Sequence, residues 1–431
     1  MSLRSLFPQV RDAGTADKTL SAAQREAIPR NFALFVGSHF LTKLGDALSN
    51  PKTTLTWLAG TLGVAGWMIA LLVPIRESGS MLLQVWMARH VQRFGQRKWA
   101  WSLGAVLQAL SMFGIALAAW LLRGSAAGLV LLILLVLYAL ARSVSSIASK
   151  DVLARTLPKG TRGRATGWAA SAAGLVTLGL GMVVTVLGPQ RLHATGYALV
   201  LFGAGVLWLL AAALFSATRE PTAEGNGQDH PVRLRLLVQD VRLRQFVLAR
   251  ALLMCTALSA PYYVLLAQRH LGHTPRLLAA FIVADGLAAL LGGPLWGSLA
   301  DRSSRVVITL GGAAGASLGA LLAVAILWAP GLLAQIWLMP TMYFVLALAH
   351  QAVRIGRKTY VVDIATGDTR IAYVAVSNSA IGVLLLAVGG VTALLSALSL
   401  AAVLATLALM GAAGAVLSMR LPRAETTDDQ G

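Results

Sequence analysis

The chain is poor in charge and nearly devoid of cysteine. Only 12% of its 431 residues are charged, against 57% hydrophobic, and the mean hydropathy is +0.71. A soluble globular fold of this size carries far more charge, so that class is excluded. The one cysteine, Cys255, excludes an internal disulfide and any multi-cysteine metal site. It falls in an apolar run and reads as a packed thiol. Catalytic signatures are missing as well. There is no G-x-x-x-x-G-K-[ST], which argues against ATP as a driving force. There is no H-E-x-x-H, and no nucleophile elbow in a strand-to-helix context. No enzyme, catalytic residue, metal or cofactor is therefore expected.

Acidic residues are scarce, 17 against 36 lysines and arginines, for a net charge of +19. That excess would suit nucleic acid, but no basic stretch is interleaved with aromatics, so no nucleic-acid partner is expected. The basic residues are instead segregated. Of the 36, 27 fall in the two tails and in alternate loops around 89–98, 150–164, 219–244, 302–305 and 354–370. The opposite loops hold Lys52, Arg123, Arg191, Arg269 and Arg276. This asymmetry places both termini in the cytoplasm and requires an even number of spans.

What the chain has in abundance is apolar runs near 20 residues, the signal of transmembrane helices. They predict an all-α membrane protein of twelve transmembrane helices in two pseudo-symmetric six-helix bundles. The expected helices are 32–57, 64–88, 98–122, 127–151, 164–187 and 194–216, then 245–268, 276–299, 304–328, 332–356, 370–391 and 395–418. The domain plan is a cytoplasmic tail over 1–30, a bundle over 31–216, a cytoplasmic linker over 217–244, a bundle over 245–419 and a tail over 420–431. The linker holds Pro221, Gly225, Gly227 and Pro231, which break helices, with a short basic surface helix expected over 232–243. The first 30 residues are polar and mixed and the first apolar run has no small-residue cleavage pattern, so no cleaved signal is expected.

Two loops between apolar runs carry related motifs. Gly297 to Arg305 reads GSLADRSSR, and Val91 to Lys98 reads VQRFGQRK. The interval from Arg93 to Arg302 is matched within one residue by the intervals Lys150–Lys358 and Arg162–Arg370, an internal repeat. The later motif resembles the G-x-L-a-D-R-x-x-R loop of the major facilitator superfamily, and the earlier one resembles its first-half counterpart with Gln92 in place of the usual Asp. The resemblance covers about residues 31 to 420. It implies two parallel six-helix repeats with a solute site between them near the membrane midplane. It also implies a conformational latch at Arg93, Asp301, Arg302 and Arg305, weaker in the first half because Gln92 carries no charge. The family's antiporter motif R-x-x-Q-G fails at Arg142, which is followed by Ser143-Val144-Ser145-Ser146. Its G-P-x-x-G signature is missing from the fifth expected helix too.

Ionisable residues inside apolar runs are costly, about 2.5–3.5 kcal/mol each at a helix centre, and mark function. His39, Lys43, Asp46 and Asn50 recur every three or four residues and so share one helical face. They read either as a self-neutralising Lys43–Asp46 pair or as a stripe lining a cavity, with Asp46 or His39 exchanging protons. Arg76 and Glu77, being adjacent, point about 100° apart, so one is expected to face the cavity and the other a neighbouring helix. Arg142, Arg250, Asp285 and Asn378 complete the expected solute and proton pathway, whereas Arg354 and Arg357 are expected only to snorkel at a helix end.

The function expected is secondary active transport of a small solute across a bacterial inner membrane by alternating access. The resemblance supplies the mechanism, and the buried titratable groups point to proton coupling. The excess of cavity cations leans toward an anionic or zwitterionic solute. The protein is expected to act as a monomer among membrane lipids. A multidrug or amphipathic-compound efflux pump, a lipid flippase and a transport-inactive sensor are the competing readings.

Overall fold

The computed structural model describes residues 22–82, 91, 94–158, 161–187, 194–222, 236–364 and 369–422. Every regular element among the described residues is helical. The first half comprises α1 (Ala22–Leu48), α2 (Thr54–Thr61), α3 (Gly66–Ala70), α4 (Leu72–Leu82), α5 (Arg97–Leu121), α6 (Gly124–Thr156), α7 (Arg162–Leu187) and α8 (Ala194–Ser216). The short α9 (Leu236–Gln239) leads into α10 (Val241–Leu253), α11 (Cys255–Leu271) and the long α12 (Pro275–Trp328). A 3-10 turn, Pro330–Ala334, precedes α13 (Leu338–Ile364), α14 (Thr369–Leu398) and α15 (Leu400–Met419).

The sequence of α5 shows why these helices form and how they sort. Ala100, Ala105, Ala109, Met112, Ile115 and Ala119 recur on one face and are buried. Leu103, Leu110 and Leu117 recur every seven residues on the other and stay exposed. Small residues inward and leucines outward is the pattern of a helix that packs on protein with one face and on lipid with the other. The inward face meets α6 and α8. Where α5 starts, its free amides are taken by a carboxylate from the far end of α8. Glu220 accepts from the backbone N–H of Arg97 at 3.1 Å and of Lys98 at 2.8 Å. An anion at a helix N-terminus satisfies donors that the helix itself leaves open.

Among the described residues, nine stretches are long and apolar enough to cross a membrane: four in the first half from Arg97 to Ser216, and Val241–Leu271, Pro275–Ala300, Arg302–Trp328, Val376–Leu398 and Leu400–Met419. The remaining long helical regions, α1 with α2, α3 with α4, and α13, are interrupted or carry cavity-facing charges.

The expected boundaries shift in several places. The first helix begins at Ala22, inside the expected tail, and breaks over 49–53, where Pro51 has no N–H to give. The expected break between 299 and 304 is present: Ser303 is extended, at φ −160°, ψ 100°, so α12 is two helices, Pro275–Ala300 and Arg302–Trp328, meeting at a kink. The tenth expected helix starts at Leu338 instead of 332 because Pro330 and Gly331 turn the chain. Of the expected linker helix, the described residues 236–239 form one turn, and Asp240 caps α10 by accepting from the Leu243 N–H at 3.0 Å. Residues 223–235 lie outside the described set.

The two halves meet along α7 and α12, α4 and α14, and α2 and α11. Because α2 touches the end of α11, Ala22 and Val241 lie at the same end of the molecule, here called the termini side.

Candidate functional site

The break after α1 organises the site. The Asn50 side-chain oxygen accepts from the Lys52 N–H at 2.9 Å and Thr56 donates to the Pro51 carbonyl at 2.6 Å, so the irregular backbone is satisfied locally. Irregular backbone at membrane depth is tolerated where it lines a cavity, and this one does. Asn50, Pro51 and Lys52 line a cavity of about 230 Å³. Lys52, expected among the charge-poor loops, is therefore an inward-facing residue. The Asn50 amide donates across to Asp285 on α12 at 3.3 Å, joining the two halves.

Beside the break, Asp46 is the hub of a buried charge cluster. Its Oδ1 accepts from Arg76 at 2.8 Å, from Arg142 at 2.6 Å and from the Tyr138 hydroxyl at 2.7 Å. Arg76 also lies over the Tyr138 ring, 4.2 Å from its centroid. Of the two readings of this face, the self-neutralising Lys43–Asp46 pair is not formed: Asp46 binds two arginines from α4 and α6. Lys43 makes no hydrogen bond or salt bridge among the described residues. Helix periodicity puts residues on one face but does not say which helix stands opposite, so this cluster was not readable from α1.

Arg76 and Glu77 both line the cavity. Arg76 turns back to Asp46 and to the Ser49 carbonyl, as adjacent residues pointing apart require. From the second half come Asp285, Tyr343, His350, Gln351 and Arg354. Arg354 is exposed, as expected of a residue at a helix end, and also borders the cavity. Its signal was its place one turn beyond His350. Arg250 and Asn378 belong together but elsewhere. Arg250 donates to Ser377 Oγ at 2.8 Å and to Asn378 Oδ1 at 3.0 Å, which fastens α10 to α14 outside the cavity lining. His39 donates or accepts at Ser149 Oγ, 2.8 Å away, and stacks on Phe35 at 3.8 Å.

The cavity is closed on the side away from the termini. Gln268 on α11 donates to the Trp57 carbonyl at 2.9 Å, and the Trp57 indole donates to Tyr197 at 2.9 Å. His273 sets its ring edge-on to Trp57 at 6.0 Å. A Cβ at Gly60 would collide with the Gln268 amide, so glycine there is what lets the halves approach.

Of the expected latch, Arg305 donates to the carbonyls of Met419 at 3.4 Å and Leu421 at 3.1 Å, placing a cation at the C-terminal end of α15. Arg302 is exposed. Arg93 and the side chain of Asp301 lie outside the described residues. In the first half Arg97, at the repeat interval from Arg305, bridges to Asp151 on α6 at 3.2 Å. No metal-binding cluster occurs among the described residues.

A Major Facilitator Superfamily model matches residues 35–323. No curated protein matches the chain by sequence. Solved structures share its fold. The inward-open xylose transporter XylE from E. coli has a TM-score of 0.68 at 15% identity, covering 92% of this chain and 98% of that one. A D-xylose-proton symporter has a TM-score of 0.69 at 15% identity, with the same coverage. The nucleoside transporter NupG has 0.64 at 12% identity, covering 90% of this chain and 99% of that one.

Proposed function

The chain belongs to the Major Facilitator Superfamily, and on that premise we propose that it is a secondary active transporter of a small anionic or zwitterionic solute. The observation that carries this reading is the charged cavity between the halves, closed on one side by the Trp57–Gln268 contact. Lys52, Arg76, Arg142 and Arg354 line it against Asp46, Glu77 and Asp285. Two of those cations are held by Asp46, which leaves Lys52 and Arg354 as the groups for a solute anion, and Asp285 as the group for a solute cation or for protons.

The transport cycle follows from the division into halves. Solute enters from the termini side, which the basic loops assign to the cytoplasm of a bacterial inner membrane. Rocking of 245–419 against 31–216, joined by the 217–244 linker, would part Trp57 from Gln268 and close the other end. Counting the three interrupted or charged regions with the nine apolar spans gives twelve crossings and returns both termini to one side. The protein acts as a monomer.

Protons are the coupling ion in this account, and Asp285 is the first choice as carrier. Protonating Asp46 would strand two guanidinium groups, the buried Arg76 and the partly exposed Arg142. Asp285 makes no salt bridge among the described residues, and its side-chain contact with the opposite half is a neutral amide. Neutralising it loosens that contact without stranding a charge at hydrogen-bond distance. Of the expected latch residues, Arg305 biases the equilibrium from the cytoplasmic face, and Arg97, at the repeat interval from it, joins that role in the first half.

The test is a ligand screen by thermal stabilisation of the purified protein, repeated on Lys52→Gln and Arg354→Gln. A solute that binds the folded state raises its melting temperature. The account expects organic anions or zwitterions to stabilise the parent and to do so at least about tenfold more weakly in either variant, as loss of a charge-assisted contact requires. Stabilisation confined to hydrophobic cations would replace this reading with multidrug efflux.

A further inference from the structure

A second cavity of about 230 Å³ lies between α1, α5 and α6, on the termini side of Asp46. It belongs to the first half alone. His39, Thr42 and Lys43 come from α1, Trp101 from α5, and Ser146 and Lys150 from α6. Asp46 and Arg142 border both cavities and form the partition between them.

The balance of charge in this pocket is one-sided. Asp46 is its one acid, and that carboxylate already engages two guanidinium groups and a phenol. Lys43 is half-buried yet has no hydrogen bond or salt bridge among the described residues. Ser146 has no hydrogen-bond partner there either. Lys150 stands exposed at the rim. His39, by contrast, is fixed against Ser149 and Phe35 and closes the back wall. An ammonium group within a membrane-spanning helix calls for a counter-charge, and a hydroxyl and a second ammonium line the same pocket.

We propose that this pocket is a binding site for an oxyanion, a carboxylate or phosphate group, distinct from the central cavity. Lys43 and Lys150 supply ammonium donors and Ser146 a hydroxyl donor. Arg142, with its side chain 36% exposed, presents its remaining N–H groups at the inner end. Ammonium and guanidinium donors make short, charge-assisted hydrogen bonds to carboxylate or phosphate oxygens. The anionic group comes either from a free solute or from the headgroup of an anionic phospholipid. Because binding is read at equilibrium, the proposal stands or falls separately from transport.

The test titrates inorganic phosphate, with chloride at matched ionic strength as the control, into the full-length protein in a neutral detergent and follows melting temperature and heat of binding. The site predicts a saturable response to phosphate and none to chloride. Lys43→Gln should weaken it about tenfold or more, the loss of one charge-assisted contact. Arg354→Gln, in the central cavity, should leave the phosphate response intact. Lys43→Gln removes a charge that has no partner, so it is expected to fold, and its melting temperature without phosphate checks this. No saturable response, or a response that survives Lys43→Gln unchanged, overturns the site. A response lost only in Arg354→Gln also overturns it. Repeating the titration in phosphatidylcholine and phosphatidylglycerol nanodiscs separates the sources. A free-solute site responds in both. A headgroup site loses its response in phosphatidylglycerol and retains that lipid in native mass spectra unless Lys43 is replaced.

Discussion

Asp46 accepts three hydrogen bonds through one oxygen, two of them from arginines on other helices. Arg76 is only 7% exposed and keeps just the Ser49 carbonyl and the Tyr138 ring, so removing its counter-charge leaves a mostly buried cation without an anion. Asp46→Asn should therefore lower stability by about 3–5 kcal/mol, the cost of breaking a buried ion pair from one side. Asp285→Asn breaks no salt bridge among the described residues and weakens only longer-range attraction to Lys52 and Arg354, so it should cost less, about 1 kcal/mol. Denaturation of the two purified variants against the parent checks both values, and equal losses would contradict the division of roles between organiser and carrier. The stripe His39, Lys43, Asp46, Asn50 was legible in the sequence because helical spacing fixes a shared face. Its division into two chambers was not. That depends on Arg142 and Arg76 arriving from α6 and α4, and no spacing within α1 encodes their approach. Lys52 was missed because a lysine near an apolar run's end reads as a loop residue unless the Asn50-Pro51 pair is taken as a break inside the membrane.

The helices themselves follow from hydropathy, and several ends moved only where a proline or a local cap decided them. Glu220 is an example. Its carboxylate caps α5 from a stretch expected to be linker, and a linker's composition gives no hint of what its first residues touch. Glu220→Ala should destabilise the protein by about 1–2 kcal/mol, read as a lower melting temperature, because two helix-end amides lose their acceptor. The closed gate makes a second prediction at this scale. Gly60→Ala puts a methyl group where the Gln268 amide sits, so it disfavours the closed arrangement of α2 and α11. With Cys255→Ser and Ala260→Cys as a cavity reporter, a membrane-impermeant maleimide added from the side opposite the termini should react about threefold to tenfold faster in Gly60→Ala. That range is the effect of losing roughly one hydrogen bond's worth of gate stability. An unchanged rate would mean that these helices do not form the gate.

At the scale of the whole molecule, the repeat of loop motifs and the segregation of basic residues made the family fold legible. The match over residues 35–323 and the likeness to sugar and nucleoside transporters agree with that reading. Solute identity was not legible, because the cavity takes residues from both halves and its net character emerges only once they face one another. The proposed topology predicts that reporter fusions at Gly225 and Gly431 both report the cytoplasm; a periplasmic signal at either would overturn it. The central claim is proton-driven transport through the cavity between the halves. Proteoliposomes carrying a solute found by thermal stabilisation, assayed for solute exchange and for accumulation under an imposed pH gradient, test it most directly. The account predicts that the parent does both, and that Asp285→Asn exchanges solute but cannot accumulate it. Full pH-driven accumulation by Asp285→Asn, or accumulation by the parent that ignores the pH gradient, would contradict it.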